Sequence, residues 1–331
     1  HKGEATPDFY PHPQTASTLS ARRLPHSTEV TMKHTRKRAL SIARSASLLA
    51  LLLCLTAPSA FAAAGAADDK EKMKPEDVVA KHLESIGTAE ARKAVRNLVA
   101  SGTVIFQIRS GGKGQTGGAS LIASEGGMNL FKMVFQASPT YPHELFSYDG
   151  KTFGAMHVRP GARSPLGEFF MTHDTVFKQG LIGGTLTTAW PLLNLPEKNP
   201  KLSYEGTKKI GDRQTHELRY TPRKGTDLKI KLFFDAETFQ HVRTEYEHTL
   251  AAALGGRIST TGPSAGKNEV RYKLVEEFSA FKKEGGLNLP HTYKLALNVQ
   301  GSVIVLQDWT VELTQFAFNQ KLNPKDFTPE S

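Results

Sequence analysis

Few groups in this chain combine the residue types and the spacing that chemistry needs. Gly262-Pro263-Ser264-Ala265-Gly266-Lys267-Asn268 comes nearest to a phosphate-binding loop. Such a loop has four residues between its glycines, then Lys-Ser or Lys-Thr, in a strand-to-helix turn. Here three residues separate the glycines and Asn268 follows the lysine, so a plain loop is the better reading. Gly111 to Gly117 fails likewise and reads as a hairpin turn. Ser110 and Lys113 have the spacing of a serine–lysine nucleophile pair. That chemistry puts the serine at a helix start, with the lysine returning one turn on. The glycines between them disfavour the helix.

The histidines are scattered at 143, 157, 173, 216, 241, 248 and 291, with no His-Glu-x-x-His or His-x-His pattern. His241 and His248 are an odd number of residues apart, which on a regular strand sends them to opposite faces. His143 and His157 flank a hairpin, but two imidazoles lack a third ligand. His173 follows Phe169 and Phe170 by one helical turn and reads as a core or rim histidine. Glu276-Glu277 and Asp68-Asp69 are adjacent pairs, expected on solvated faces. A glycosidase needs two inward carboxylates at a defined separation, which spacing alone does not establish. No catalytic residue, metal site or cofactor is expected.

What remains is apolar. Phe106, Phe131, Met133, Phe135, Phe146 and Met156 come from segments that read as strands. Phe169, Phe170, Phe177, Trp190 and Leu193 come from one stretch that does not. These residues suit either an ordinary packed core or the wall of an acyl-chain cavity. A buried chain gains about 0.8 kcal/mol per methylene, and such a site needs shape more than polar groups. Met133 and Met156 suit an adaptable wall.

The odd stretch is Ser164 to Leu195. Leu166, Phe169, Phe170, Phe177 and Leu181 recur there at helical spacing. Gly183-Gly184 stops the helix, and Gly180, Gly183 and Gly184 are candidate hinges. Upstream, Pro75 suits a first helical position. Val78, Val79, His82, Leu83 and Ile86 mark one helical face, ended by Gly87, and a second short helix covers Ala89 to Val95. Nearly everything else alternates with period two between turn residues. Asp149-Gly150 is a strong two-residue hairpin signal. The count is roughly eleven strands with short connections, so an antiparallel meander is the economical topology. The expected class is α+β, mainly antiparallel β: a curved half-barrel with helices over its concave face.

Met32 to Ala62 reads as an export signal. It has a basic start, an apolar run from Leu48 to Leu55, and Ala60-Phe61-Ala62 as a small-x-small cleavage site. Residues 1–31 are expected to lie upstream of the true start. Residues 63–74 read as a flexible mature N-terminus and 75–331 as one domain carrying the 164–195 insert. A lipoprotein anchored through Cys54 is the alternative, although Leu53 departs from the small residue expected before an acylated cysteine. Residues 63–331 carry a net charge of +5, against +10 for the whole chain. No basic cluster is interleaved with aromatics, which excludes nucleic acid as the expected partner. Cys54 is the only cysteine, so the remainder has no disulfide or thiolate site.

Four stretches carry a resemblance: EDVVAKHLESIGTAEARKAV leading into SGTVIFQI, IGDRQTHELRYTP with LKIKLFFDAETFQHVRTEY, EEFSAFKKEGGLNLPHTYKLAL, and FAFNQKLNPKDFTP. Their order resembles the LolA/LolB-like periplasmic lipoprotein-carrier superfamily, across most of Pro75 to Pro329. The resemblance implies an incomplete antiparallel barrel plugged by helices, an apolar cavity, and work with lipids, lipoproteins or the cell envelope. The expected protein is periplasmic, monomeric and non-enzymatic, and holds an acyl chain or lipoprotein anchor. The other reading it leaves open is a sensor or scaffold domain of the same fold that binds another envelope protein.

Overall fold

The computed structural model describes residues 73–110, 114–250, 269–301 and 304–329. The export signal at 32–62, the upstream residues 1–31, nearly all of 63–74 and all but Leu250 of the loop at 250–267 lie outside them. Helix α1 (Pro75–Ile86) starts at a proline, and its first turn is tied when Lys74 N–H donates to Asp77. Val78, Val79, His82 and Ile86 are its buried stripe. The short α2 (Ala89–Ala94) is capped by the Thr88 hydroxyl, which accepts from Ala91 N–H.

Twelve antiparallel strands follow, one more than the sequence pattern indicates. They are β1 (Asn97–Ile108), β2 (Gly114–Glu125), β3 (Met128–Val134), β4 (His143–Tyr148), β5 (Phe153–Ala155), β6 (Lys201–Ile210), β7 (Arg213–Thr221), β8 (Lys229–Asp235), β9 (His241–Leu250), β10 (Val270–Glu284), β11 (Leu287–Gln300) and β12 (Ile304–Phe318). Their order in the sheet is β5-β4-β3-β2-β1-β12-β11-β10-β9-β8-β7-β6. Each hairpin neighbour pairs with the next, and the first and last strands close the middle, with Phe106 opposite Trp309. The Asp235 carboxylate accepts from the Glu237 and Thr238 N–H groups, which makes the β8–β9 turn.

The two edges of this sheet are β5 and β6, and the segment between them is the helical stretch. It contains α3 (Pro165–Thr172), α4 (Thr175–Lys178), 3₁₀ turns at Gly184–Leu186 and Pro191–Asn194, and α5 (Leu195–Lys198). The Ser164 hydroxyl caps α3 by accepting from Gly167 N–H, and Pro165 takes the first helical position. This cover fixes how far the sheet curls. Phe177 packs on Phe153 of β5, with centroids 4.5 Å apart. Two residues later, Gln179 accepts a 3.0 Å hydrogen bond from the Tyr220 hydroxyl of β7. β5 and β7 are ten places apart in the strand order. In a flat sheet they would be about 48 Å apart at about 4.8 Å per strand. The sheet therefore curves around the cover, and the cover occupies its concave side.

One apolar core fills that side, with side chains from α1, the cover and most strands. The convex face has a smaller one, where Phe327 of the C-terminal 3₁₀ turn packs on Ala123 and Leu130. Among the described residues no helix is long and apolar enough to cross a membrane.

The cover glycines are tight packing positions. Gly180, Gly183 and Gly184 all have positive φ. A Cβ on Gly180 would lie 2.0 Å from the Ala189 carbonyl oxygen, and one on Gly183 would lie 2.6 Å from the Phe131 ring. Gly180→Ala should therefore cost about 3 kcal/mol, from the left-handed backbone and the clash together. Urea unfolding measures this; an unchanged midpoint would contradict the close approach of the two arms of the cover.

Candidate functional site

Eleven side chains are expected from sequence to line one apolar space, and nine of them are buried in the core on the concave side. They divide into two groups. Phe106, Phe135, Tyr141 and Trp309 stack on one another near the middle of the sheet. Phe131 and Phe146 meet the cover. Phe146 packs on Phe170 at 5.0 Å, Phe131 on Phe177 at 5.7 Å, and Phe170 on Phe177 at 5.0 Å. Trp190 stacks on His241 at 4.6 Å. Two residues are not placed as expected. Leu193 is 39% exposed, because the 3₁₀ turn that Pro191 starts points Leu192 inward instead. Met156 is half-buried beyond the end of β5 and outside the core.

The interface between cover and sheet is closely packed. A cavity of about 20 Å³ remains there, lined by Phe131, Met133, Phe146, Phe170, Ile182 and Tyr293 among others. That is room for about one water. The aromatic side chains of the cover fill the rest of the space between cover and sheet.

Polar groups fasten the cover to the sheet at separate points. Gly183 N–H donates to Glu276 Oε1 at 2.7 Å. The same carboxyl accepts from the hydroxyls of Tyr246, at 2.7 Å, and Tyr293, at 2.8 Å. Trp190 Nε1–H donates to His82 Nε2 at 3.0 Å. That bond leaves Nδ1 of the neutral ring as the donor to the Phe239 carbonyl, 3.0 Å away. Thr188 N–H donates to the Ser124 hydroxyl at 2.9 Å. At the end of α3, His173 Nε2 meets His248 Nδ1 at 2.9 Å, and Asp227 stands 3.5 Å from each of the two rings.

Several of these groups titrate away from their ordinary ranges. Burial pushes the Glu276 carboxyl up to about 7, against the pull of its three donors. Burial likewise raises Glu144, which accepts from the Tyr141 hydroxyl, to about 7. Burial holds the His82 imidazole down at about 4. His241, against Trp190 and Phe278, is lowered well below its ordinary value by burial and then by His82. Burial also lowers His173.

The sequence reading misplaces two of these. Glu276 and Glu277 do point opposite ways, but only Glu277 faces outward, where it pairs with Arg243. Glu276 is fully buried. The alternation Leu274, Glu276, Phe278 along β10 is the signal that it faces inward. His241 and His248 share the concave face in spite of their odd separation. A bulge at Val242, between the pairs Phe234↔His241 and Phe233↔Arg243, resets the alternation. His173 is buried, as expected, but the histidines are not all isolated, since the fold brings His173, His248 and Asp227 together.

No protein-family model matches the sequence, and no curated protein matches it. Solved structures do. A LolA superfamily protein from Nitrosomonas europaea matches at 11% identity and a TM-score of 0.41, over 78% of this chain and 98% of its own. A DUF1329 family protein from Desulfovibrio piger matches at 11% and 0.42, over 76% and 96%. The complex of Pseudomonas aeruginosa MucA and MucB matches at 11% and 0.21, over 73% and 99%. The first belongs to the superfamily that the sequence patterns resemble. At these values the likenesses carry no argument about ligands or partners.

The Glu276 shift makes a checkable statement about stability. Its carboxyl binds a proton more tightly in the folded state than at its ordinary value of 4.5. Between those two values the folded chain holds more protons, so this group's contribution falls as pH rises and is fully lost above about 7. Glu276→Gln removes that loss. The stability difference between variant and wild type should move in favour of the variant by about 3 kcal/mol between about pH 4 and about pH 8. Chemical denaturation across that range tests it; a difference that does not move with pH would contradict the buried, proton-holding carboxyl.

Proposed function

We propose that this chain is a non-enzymatic binding protein of the bacterial envelope. It holds a lipid acyl chain or a lipoprotein anchor against the concave sheet after displacing the 164–195 cover. The observation that carries the reading is the way the cover is held: an aromatic underside on an aromatic wall, fastened by isolated polar latches built partly on buried ionisable groups. Stability alone does not call for such groups, since apolar residues of similar shape do as well or better. A segment that must leave and return to one register has a use for them.

The aromatic share of that hold is comparable with what an acyl chain recovers. Lifting the cover exposes Phe169, Phe170, Phe177 and Trp190, each buried to within 2% of completely. At about 1.5–3 kcal/mol per large apolar side chain, these four hold the cover by roughly 6–12 kcal/mol. A chain of about sixteen carbons recovers about 12 kcal/mol when buried in their place. An acyl chain is therefore a fit replacement for the aromatic part of the underside, although little space is preformed; Leu166, Val176, Leu181, Ile182, Leu186 and Leu192 are buried there as well and add to what must be lifted. Export through the 32–62 signal would deliver the protein to the periplasm, where such chains are handled.

The partner-protein reading finds less support at the sheet edges. β5 has three residues, and Pro329 packs against its Gly154. β6 carries Lys201, Lys208 and Lys209 and a bulge at Glu205–Gly206. These are devices that discourage strand addition.

Native mass spectrometry of the protein from its own cells should show co-purified lipid. A Ser124→Cys/Thr188→Cys variant places a reversible bridge where Thr188 N–H meets the Ser124 hydroxyl. It should bind a fluorescent fatty acid when reduced and lose that binding when oxidised. Equal binding in both states, or a wild type that carries no lipid and binds no probe, would overturn the displacement reading.

A further inference from the structure

We propose that His173, His248 and Asp227 form a site for one divalent transition-metal ion of the zinc class, and that the bound ion ties the cover to the sheet. The three residues come from separate elements. His173 ends α3 of the cover, His248 lies on β9, and Asp227 lies in the loop between β7 and β8. One ligand atom from each lies within 4.8 Å of the others. Two ligand atoms on one tetrahedral zinc ion stand about 3.4 Å apart. The Asp227 side chain is 63% exposed, so it is free to swing the remaining distance, whereas the two imidazoles are 4% and 9% exposed and held by packing. Phe169 and Tyr272 flank the histidines.

The arrangement of donor atoms in the cluster suits a cation. Three contacts join these groups: His173 Nε2 to His248 Nδ1, His173 Nδ1 to Asp227 Oδ1, and His248 Nε2 to Asp227 Oδ2. Two neutral imidazoles bring one N–H each, and a carboxylate brings none. The two rings meet at hydrogen-bond distance, and the Asp227 oxygens stand 3.5 Å away, so each ring keeps its second nitrogen turned toward the carboxylate. Two imidazoles with a carboxylate are a donor set that zinc-class ions prefer. Asp227, with its side chain 63% exposed, gives an ion its approach from solvent. With two protein nitrogens and one carboxylate oxygen, the ion keeps a position for water, as open three-ligand sites do.

This inference is independent of the lipid reading, because it concerns what holds the cover and not what replaces it. The test uses the full chain dialysed against zinc, with bound metal counted by elemental mass spectrometry. The chain has 12 histidines in all, so the comparison with His173→Ala/His248→Ala isolates the site. Wild type should hold one zinc ion more than the double variant. Asp227→Asn changes an exposed residue and leaves the fold intact; it should weaken binding at least about tenfold, the loss that even an outer-sphere partner brings. Hydrogen exchange at the cover amides from Leu181 to Ala189 should slow on zinc addition in wild type and not in the double variant. Equal stoichiometry in the two chains would overturn the site. Zinc binding without slower exchange would overturn the tie between cover and sheet.

Discussion

The chain between β5 and β6 must join the two free edges of a twelve-strand sheet, and this constraint shapes everything else. The meander is otherwise built from hairpins, with its first and last strands paired in the middle. One connection is left over, and it has to cross a face. Because it is apolar on one side, it crosses against the apolar face and draws the edges toward each other. The contacts of Phe177 with β5 and of Gln179 with β7 are the measure of that closure. The cover is therefore part of the topology of the fold. A change that lifts it exposes the concave wall and also slackens the curl of the sheet.

The polar groups beneath the cover act against each other as pH changes. Glu144 and Glu276 are held near 7, and the loss of their protons lowers stability as pH rises from their ordinary 4.5. His82 runs the other way. Its folded value near 4 lies below the ordinary 6.5, so the unfolded chain binds the extra proton and stability rises with pH across that interval. His241 is lowered in the same direction. Carboxyls and imidazoles of one concave wall thus oppose each other over the same pH range. The pairing leaves the closed state less sensitive to mild acid than any one of these groups alone would make it.

Much of this was legible in the residues. Helical spacing marked α1 and the cover, period-two alternation marked the sheet, and Asp149-Gly150 marked the turn between β4 and β5. His82 stood on the apolar face of α1 between Val79 and Ile86, which is where its bond to Trp190 requires it. Local pattern could not show what long-range register decides. The bulge at Val242 turns His241 inward, and nothing in the stretch around it signals a bulge. His173, Asp227 and His248 meet only because the cover crosses the sheet, so no spacing between them carries the information. The choice of Leu192 over Leu193 for burial rests on one 3₁₀ turn, a finer matter than helical periodicity resolves.

Close packing beneath the cover does not by itself make the closed state permanent. Two polar atoms there, His241 Nδ1 and Thr185 Oγ1, are buried with no hydrogen-bond partner among the described residues. Each such group costs about 1–3 kcal/mol relative to a hydrated one. His241 Nδ1 also limits how closely Gly184 can sit, since a Cβ on that glycine would come within 2.7 Å of it. Lifting the cover would hydrate both atoms. The aromatic contacts hold the cover down while these unpaired atoms reduce what closure gains. On the displacement reading proposed above, together they narrow the gap between closed and open states without loosening the register that Gly183, Trp190 and Thr188 define.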